Sequence, residues 1–237
     1  MRVVPSVDHL LARVLLDAAT GRFPPADGTV EVVPAWRPGV RGVVSFTGHA
    51  YVAADGVDVA DLIAAGADAF GGATAPAVLT RLASPQDAGD AAARRARVPR
   101  PGPPAGEVGC LDAVLVARGR GGSCPLVERA DLSDHPRVLH ARAWRDDVRV
   151  LGPRPGGSRD GLVTFARGLA GLTEISIEVA TAGRGHGAAL LRDALALVPY
   201  GDPVWACVAP GNVASLRMFL RSGFAPVASV QLVRPAV

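Results

Sequence analysis

Ile175-Ser176-Ile177-Glu178-Val179-Ala180-Thr181-Ala182-Gly183-Arg184-Gly185-His186-Gly187-Ala188-Ala189-Leu190-Leu191 is the stretch whose reading decides the fold. Its first six residues are rich in β-branched side chains and read as a strand. The apolar run that continues from Ala188 has helical spacing. Between them lie glycines at 183, 185 and 187. A strand feeding a glycine-rich turn that opens a helix gathers free backbone N–H groups at the positive end of the helix dipole. Such a point suits phosphate. Glycines let the backbone approach the anion with no Cβ between them, and Arg184 adds a full positive charge. The plainer reading of the same glycines is a tight turn between strand and helix.

Two phosphate-binding patterns are set aside by context. Gly183-x-Gly185-x-x-Ala188 satisfies a dinucleotide-binding fingerprint, but that fingerprint belongs in the first βαβ unit, with a carboxylate at the end of the next strand. Here the loop comes late, and the next strand ends Ala206-Cys207-Val208-Ala209-Pro210. A P-loop needs Gly-Lys-Ser/Thr, and the chain contains no lysine.

Working outward, Leu111–Ala117 reads as a strand, and a helix begins near Ser133-Asp134 with Pro136 in its first turn. Strands follow at Val148–Leu151, Leu162–Ala166 and Glu174–Ala180. After the glycine loop come a helix over Gly185–Val198, a strand over Val204–Val208, a helix over Asn212–Arg221 and a strand over Val227–Val233. The order β-α-β-β-β-α-β-α-β describes an α/β domain of about 125 residues, a common domain size.

The glycine loop, the strand Val204–Val208, the string Pro210-Gly211-Asn212-Val213-Ala214-Ser215, then Phe219 and Gly223-Phe224 together resemble the paired coenzyme A motifs of the GNAT N-acyltransferase superfamily. The resemblance covers slightly over half the chain. It implies a mixed α/β sheet forming an acyl-CoA N-acyltransferase domain over residues 110–237. It also implies that acyl-CoA lies in a splay between the parallel strands Ile175–Ala180 and Val204–Val208. Backbone groups around Val179 would pair with the pantetheine arm. The amides of Gly183, Arg184, Gly185, His186, Gly187 and Ala188 would hold the pyrophosphate, while Asn212 and Ser215 would face the pantetheine and cap the next helix. Asn212 reads equally as a plain helix cap, and Gly223-Phe224 as a glycine stop followed by a core aromatic.

The chemistry implied is acetyl transfer from acetyl-CoA to a primary amine. Glu174 occupies a place where some relatives carry the general base, and Glu178 points to the same strand face. Where many members place a tyrosine that protonates the leaving thiolate, this chain has Phe219, and Ala182 replaces a usual basic or amide residue. A missing general acid costs about 10²–10⁴-fold, yet a thiol of pKa near 8.5 leaves tolerably unaided. An enzyme, an acyl-CoA-binding or sensing module without turnover, and a scaffold all remain open as expectations.

Residues 1–84 read as a smaller α/β region of unassigned role. Ser6 is placed to cap a helix carrying Leu10, Leu11, Val14, Leu15 and Ala18; Thr29–Val33 and Val43–Ala53 read as strands. Asp58 opens a short helix, and Thr74 with Pro76 another. His49, beside Tyr51, reads as a packed strand residue. Residues 85–109, with Pro99-Arg100-Pro101-Gly102-Pro103-Pro104, read as a connector.

Composition narrows the partners. The net charge is +3 over 237 residues, with no long basic run, so nucleic acid is not expected. Cys110, Cys124 and Cys207 form no C-x-x-C pair, and the five histidines lack metal-ligand spacing. No apolar run is long enough for a membrane span, and Asp8 and Arg13 interrupt the first apolar stretch. A cytoplasmic protein is expected, from a GC-rich bacterial source by its Ala/Gly/Pro/Arg bias, with a homodimer expected on general grounds.

Overall fold

The computed structural model describes residues 8–84, 106–156, 160–181, 183 and 185–236. Ser6, Ala182, Arg184 and most of the expected connector lie outside the described residues. Two compact units emerge. Of the described residues, one unit holds 8–112 together with 228–236, and the other holds 113–227.

In the amino-terminal unit, α1 (Leu10–Ala18) is capped by the ring of His9, whose Nδ1 accepts from the Leu11 N–H at 3.2 Å. Its buried stripe is Leu11, Ala12, Leu15 and Ala18, while Leu10 faces out. The expected run Val43–Ala53 is two strands, β2 (Arg41–Phe46) and β3 (His49–Ala53), paired antiparallel. The intervening Thr47-Gly48 makes the turn, with Gly48 at φ 69° and a Cβ there 2.9 Å from that of Ala26. Both the left-handed backbone and the close approach call for glycine. β1 (Thr29–Val33) lies parallel to β3. On one face Val43, Ala50 and Val52 pack with Leu62 of α2 (Val59–Ala64) and with Val78 and Leu82 of α3 (Pro76–Ala83). Asp58 caps α2 through the Ala60 N–H. Thr74 does not cap α3; Ala75 is its N-cap and the Thr74 hydroxyl bonds Gly71 O. His49 is buried, with Nδ1 3.0 Å from Asp27 Oδ1 and its ring against Tyr51.

Residues 228–236 belong with this unit rather than with the domain expected over 110–237. The cause is register: β10 (Ala225–Arg234) pairs antiparallel with β2 from Ser229↔Ser45 to Val233↔Arg41. β4 (Glu107–Arg118) also begins earlier than the expected Leu111. Gly106 N–H donates to Arg234 O at 2.7 Å and Gln231 Nε2 donates to Gly109 O, which draws residues 107–110 into extended backbone.

The carboxy-terminal unit follows the expected element order, with a two-residue strand, β5 (Val127–Glu128), added before α4 (Pro136–Trp144). Then come β6 (Asp146–Gly152), β7 (Leu162–Arg167), β8 (Thr173–Glu178), α5 (His186–Leu197), β9 (Pro203–Val208) and α6 (Val213–Arg221). Across the sheet the order within this unit is β4-β9-β8-β7-β6-β5. Only β8 and β9 run parallel among these neighbours. The expected mixed α/β sheet is therefore the observed fold class. Leu115, Val163, Ile175, Val204 and Ala206 face Leu190, Leu191 and Leu195 of α5 and Phe219 of α6. The opposite face carries α4, whose Val138 packs on Val150 and Leu162. α6 ends in a Schellman turn: Phe224 N–H reaches Phe219 O at 3.2 Å and Gly223, at φ 97°, donates to Leu220 O.

Candidate functional site

Each of the two parallel strands is fully paired on its outer side. β8 matches β7 at every residue from Thr173 to Glu178, and β9 matches β4 from Pro203 to Val208. Towards each other they register at a single position, Glu174↔Trp205. Beyond it the strands part, leaving the β9-facing backbone of Ser176 to Glu178 without a ladder partner there. Unmade strand hydrogen bonds are a standing demand for another extended chain. The opening lies at the carboxyl ends of both strands, where ligands of parallel sheets bind.

At that end β8 passes into the glycine loop and β9 into the loop before α6. Gly183 and Gly185 have φ 84° and 77°, and Gly185 is the N-cap of α5 without any side-chain capping bond. Gly185 has no side chain with which to cap the first amides of α5, and amides at a helix start suit an anion. Gly187 meets α6 closely: a Cβ there would lie 2.8 Å from Met218 Sδ. His186 Nδ1 sits 3.0 Å from Asp160 Oδ1, and Ala188 is exposed. Val179 follows β8 directly and is half-buried, with its Cγ1 3.1 Å from where a Cβ on Gly161 would be. Asn212 caps α6, its Oδ1 accepting from Ser215 N–H at 3.2 Å. The structure thus brings Val179, Gly183, Gly185, His186, Gly187 and Ala188 to one end of β8, and Asn212 with Ser215 to the matching end of β9.

Glu174 stands apart from that group and is ion-paired. It is 3% exposed. Arg145 grips Oε1 through Nε at 2.7 Å and also through Nη2, and Leu169 N–H approaches Oε2 at 3.4 Å. A Cβ on Gly168 would fall 1.9 Å from Oε2, so that glycine makes room for the carboxylate. Glu178 is likewise engaged, at 2.9 Å from Arg137 Nε.

Arg137 lies in the first turn of α4 and Arg145 is its C-cap, and near them are polar groups that sequence reading missed. Ser176 and Thr164 share a hydroxyl hydrogen bond of 2.6 Å. His140 of α4 lies near both ion pairs. Burial pushes its pKa below the ordinary imidazole value; Arg145 and Arg137 push the same way and Glu174 opposes them. Trp205, beside Glu174, is 1% exposed and its Nε1–H has no acceptor among the described residues. The legible signal was alternation: Glu174, Ser176 and Glu178 form a polar stripe on an otherwise apolar strand. Their helix partners are set by packing, which alternation does not report.

Phe219 is buried and meets Phe224 edge-on, with ring centroids 4.9 Å apart. Among the described residues no group of three or more His, Cys, Asp or Glu is placed to hold a metal ion. No helix there is long and apolar enough to cross a membrane.

Neither a protein-family model nor a curated protein matches the sequence. Several solved structures are similar, two of which are named here. One is a candidate acetyltransferase of the GNAT family from Novosphingobium aromaticivorans, with 18% identity and a TM-score of 0.41, over 57% of this chain and 71% of that one. The other is a GCN5-related N-acetyltransferase from Kribbella flavida, with 15% identity and a TM-score of 0.36, over 53% of this chain and 58% of that one. Both alignments span little more than half of this chain.

Proposed function

We propose that the chain is an N-acyltransferase that moves an acetyl group from acetyl-CoA to a primary amine. The observation that carries this reading is the single registered pair, Glu174↔Trp205, between two parallel strands that are fully paired on their outer sides. An extended pantetheine arm suits the unmade ladder beyond that pair. The uncapped, glycine-lined start of α5 suits the pyrophosphate. Asn212 and Ser215 border the same opening from α6, and Arg184 adds positive charge to the loop by its place in the sequence. Acetyl-CoA supplies an activated acyl carbon, and the chain's own residues orient it and handle the protons of the amine.

The test is the melting temperature with and without acetyl-CoA, for the wild type and for Arg184→Glu. A ligand at 100 times its Kd stabilises a fold by about 2.7 kcal/mol, roughly 5–11 °C at this chain length. A shift that the variant abolishes supports the reading, and no shift in the wild type overturns it.

Phe219 favours a second reading, acyl-CoA binding without turnover. Its ring is packed on Phe224 and offers no proton to a leaving thiolate. Stabilisation by acetyl-CoA without acetylation of any amine in a broad panel would select this reading.

A further inference from the structure

A coenzyme A thioester carries its pyrophosphate at one end of the pantetheine arm and its sulfur and acyl group at the other. With the pyrophosphate at the start of α5, the arm enters from the carboxyl ends of β8 and β9 and runs towards their one registered pair, Glu174↔Trp205. The arm is about twelve bonds long, the backbone length of about four residues, or about 13 Å of extended chain. β8 ends at Glu178. With the pyrophosphate about two residues beyond that end, the sulfur falls level with about Ser176. The acyl carbons come last and point at the pair.

Cross-strand register shows what they meet. Val116, Trp205, Glu174 and Ala166 are successive Cα partners across β4, β9, β8 and β7, so they share one face and one level of the sheet. All four are buried, and Trp205, 1% exposed, is the largest side chain of the row. Glu174 is held by Arg145, and a Cβ on Gly168 would already collide with its carboxylate. On the opposite face the next level holds Ile175 and Ala206, both in the core with Leu190 and Leu191. One level nearer the opening, Ser176 and Cys207 are only half-buried. That level, and not the pair, is the approach left for an amine.

From this arrangement we infer that Trp205 is a specificity-determining residue, closing the inner end of the splay so that only short acyl groups fit between the sulfur and the pair. The inference rests on the N-acyltransferase reading above. The pair lies two strand residues below Ser176, about 7 Å. Contact distance takes about 3.5–4 Å of that, which leaves roughly 3 Å, room for two or three acyl carbons. Acetyl and propionyl groups fit. Each further methylene is driven into the row of Trp205 and Glu174 or into the core on the other face, and a close-packed interior has no slack to receive it. The indole is held by packing: among the described residues its Nε1–H has no acceptor. Shortening the side chain therefore breaks no hydrogen bond there.

The test measures dissociation constants calorimetrically for CoA, acetyl-CoA, propionyl-CoA, butyryl-CoA and hexanoyl-CoA, a series that needs no turnover. The wild type should bind the first three alike and hexanoyl-CoA weaker by about tenfold or more. In Trp205→Leu that penalty should shrink to within about threefold, while the affinity for CoA itself stays as in wild type. Trp205→Phe keeps a buried aromatic and carries the same comparison if the leucine variant fails to fold; its penalty should begin at a longer chain than in wild type. Equal affinity across the series in the wild type would mean that the chain leaves over Ser176 and Cys207, and overturns the proposal without touching the acyltransferase reading. A folded variant that keeps the wild-type penalty overturns it too, as does one that loses CoA itself, because Trp205 would then serve binding and not acyl length. A wild type that binds none of the five, CoA included, sinks the acyltransferase reading and the inference together.

Discussion

Arg145→Met strands the carboxylate of Glu174 in a place that is 3% exposed, where the Leu169 N–H, at 3.4 Å, is the hydrogen-bond donor that remains among the described residues. Breaking a buried pair by removing one partner costs about 3–5 kcal/mol, because an uncompensated charge stays behind. At about 2–4 °C per kcal/mol for a chain of this length, the melting temperature should fall by roughly 6–20 °C. Glu174→Met removes the carboxylate instead; the Arg145 side chain is 12% exposed against 3% for Glu174 and has further interactions, so the fall should be smaller. The double variant removes both charges and fills the space with apolar atoms, and replacing a buried pair in this way is often neutral or stabilising. It should melt above either single variant. The assay is calorimetric or fluorescence melting of the four proteins as a double-mutant cycle. Single variants that each lose under about 1 kcal/mol, a value ordinary for exposed pairs, would refute the reasoning that this pair is a buried tether and not a solvated base.

Four shorter expectations follow from other positions. Asn212→Ala removes the oxygen that accepts from Ser215 N–H and should cost about 0.5–2 kcal/mol in melting experiments, while a much larger loss would mean that Asn212 does more than cap α6. Gly185→Ala forces a Cβ onto a backbone at φ 77°, so it should cost about 1 kcal/mol and weaken acetyl-CoA stabilisation, both read from one melting series. Phe219→Tyr places a hydroxyl in a packed aromatic pair and should destabilise by about 1–3 kcal/mol without raising acetylation; a rise in turnover would show that a proton donor is what the site lacks. His140 has a folded pKa below its unfolded value, so its contribution to stability is fully present above about pH 6.5 and is lost as pH falls through the folded value. Below pH 6.5 the wild type should therefore lose stability more steeply than His140→Gln in denaturant titrations, and parallel curves would contradict the assigned direction.

Much of the carboxy-terminal unit was legible because its signals are local. The alternation of Ile175 and Ile177 with Ser176 and Glu178 marks a strand, the glycines at 183 and 185 mark a left-handed turn, and Asn212 and Gly223 mark the two ends of one helix. Each is decided by backbone sterics within a few residues. The break of the run Val43–Ala53 at Thr47-Gly48 was missed because an apolar β-branched run looks the same on both sides of a two-residue turn. The cap of α3 fell on Ala75 for a similar reason: Thr74 is spent on Gly71 O in the preceding turn.

By itself, then, the sequence determined the order of elements, the glycine loop that opens α5 and the polar stripe of β8, since these depend on local periodicity and on the φ range each residue tolerates. The tertiary structure decided what lies across the sequence. It put residues 228–236 against β2, bound Glu174 to Arg145 and Glu178 to Arg137, and left β8 and β9 joined at one position. Those outcomes follow from strand register and from which helix covers which face of the sheet. Both are settled by the burial of side chains far apart in the chain, and no window of sequence contains both partners.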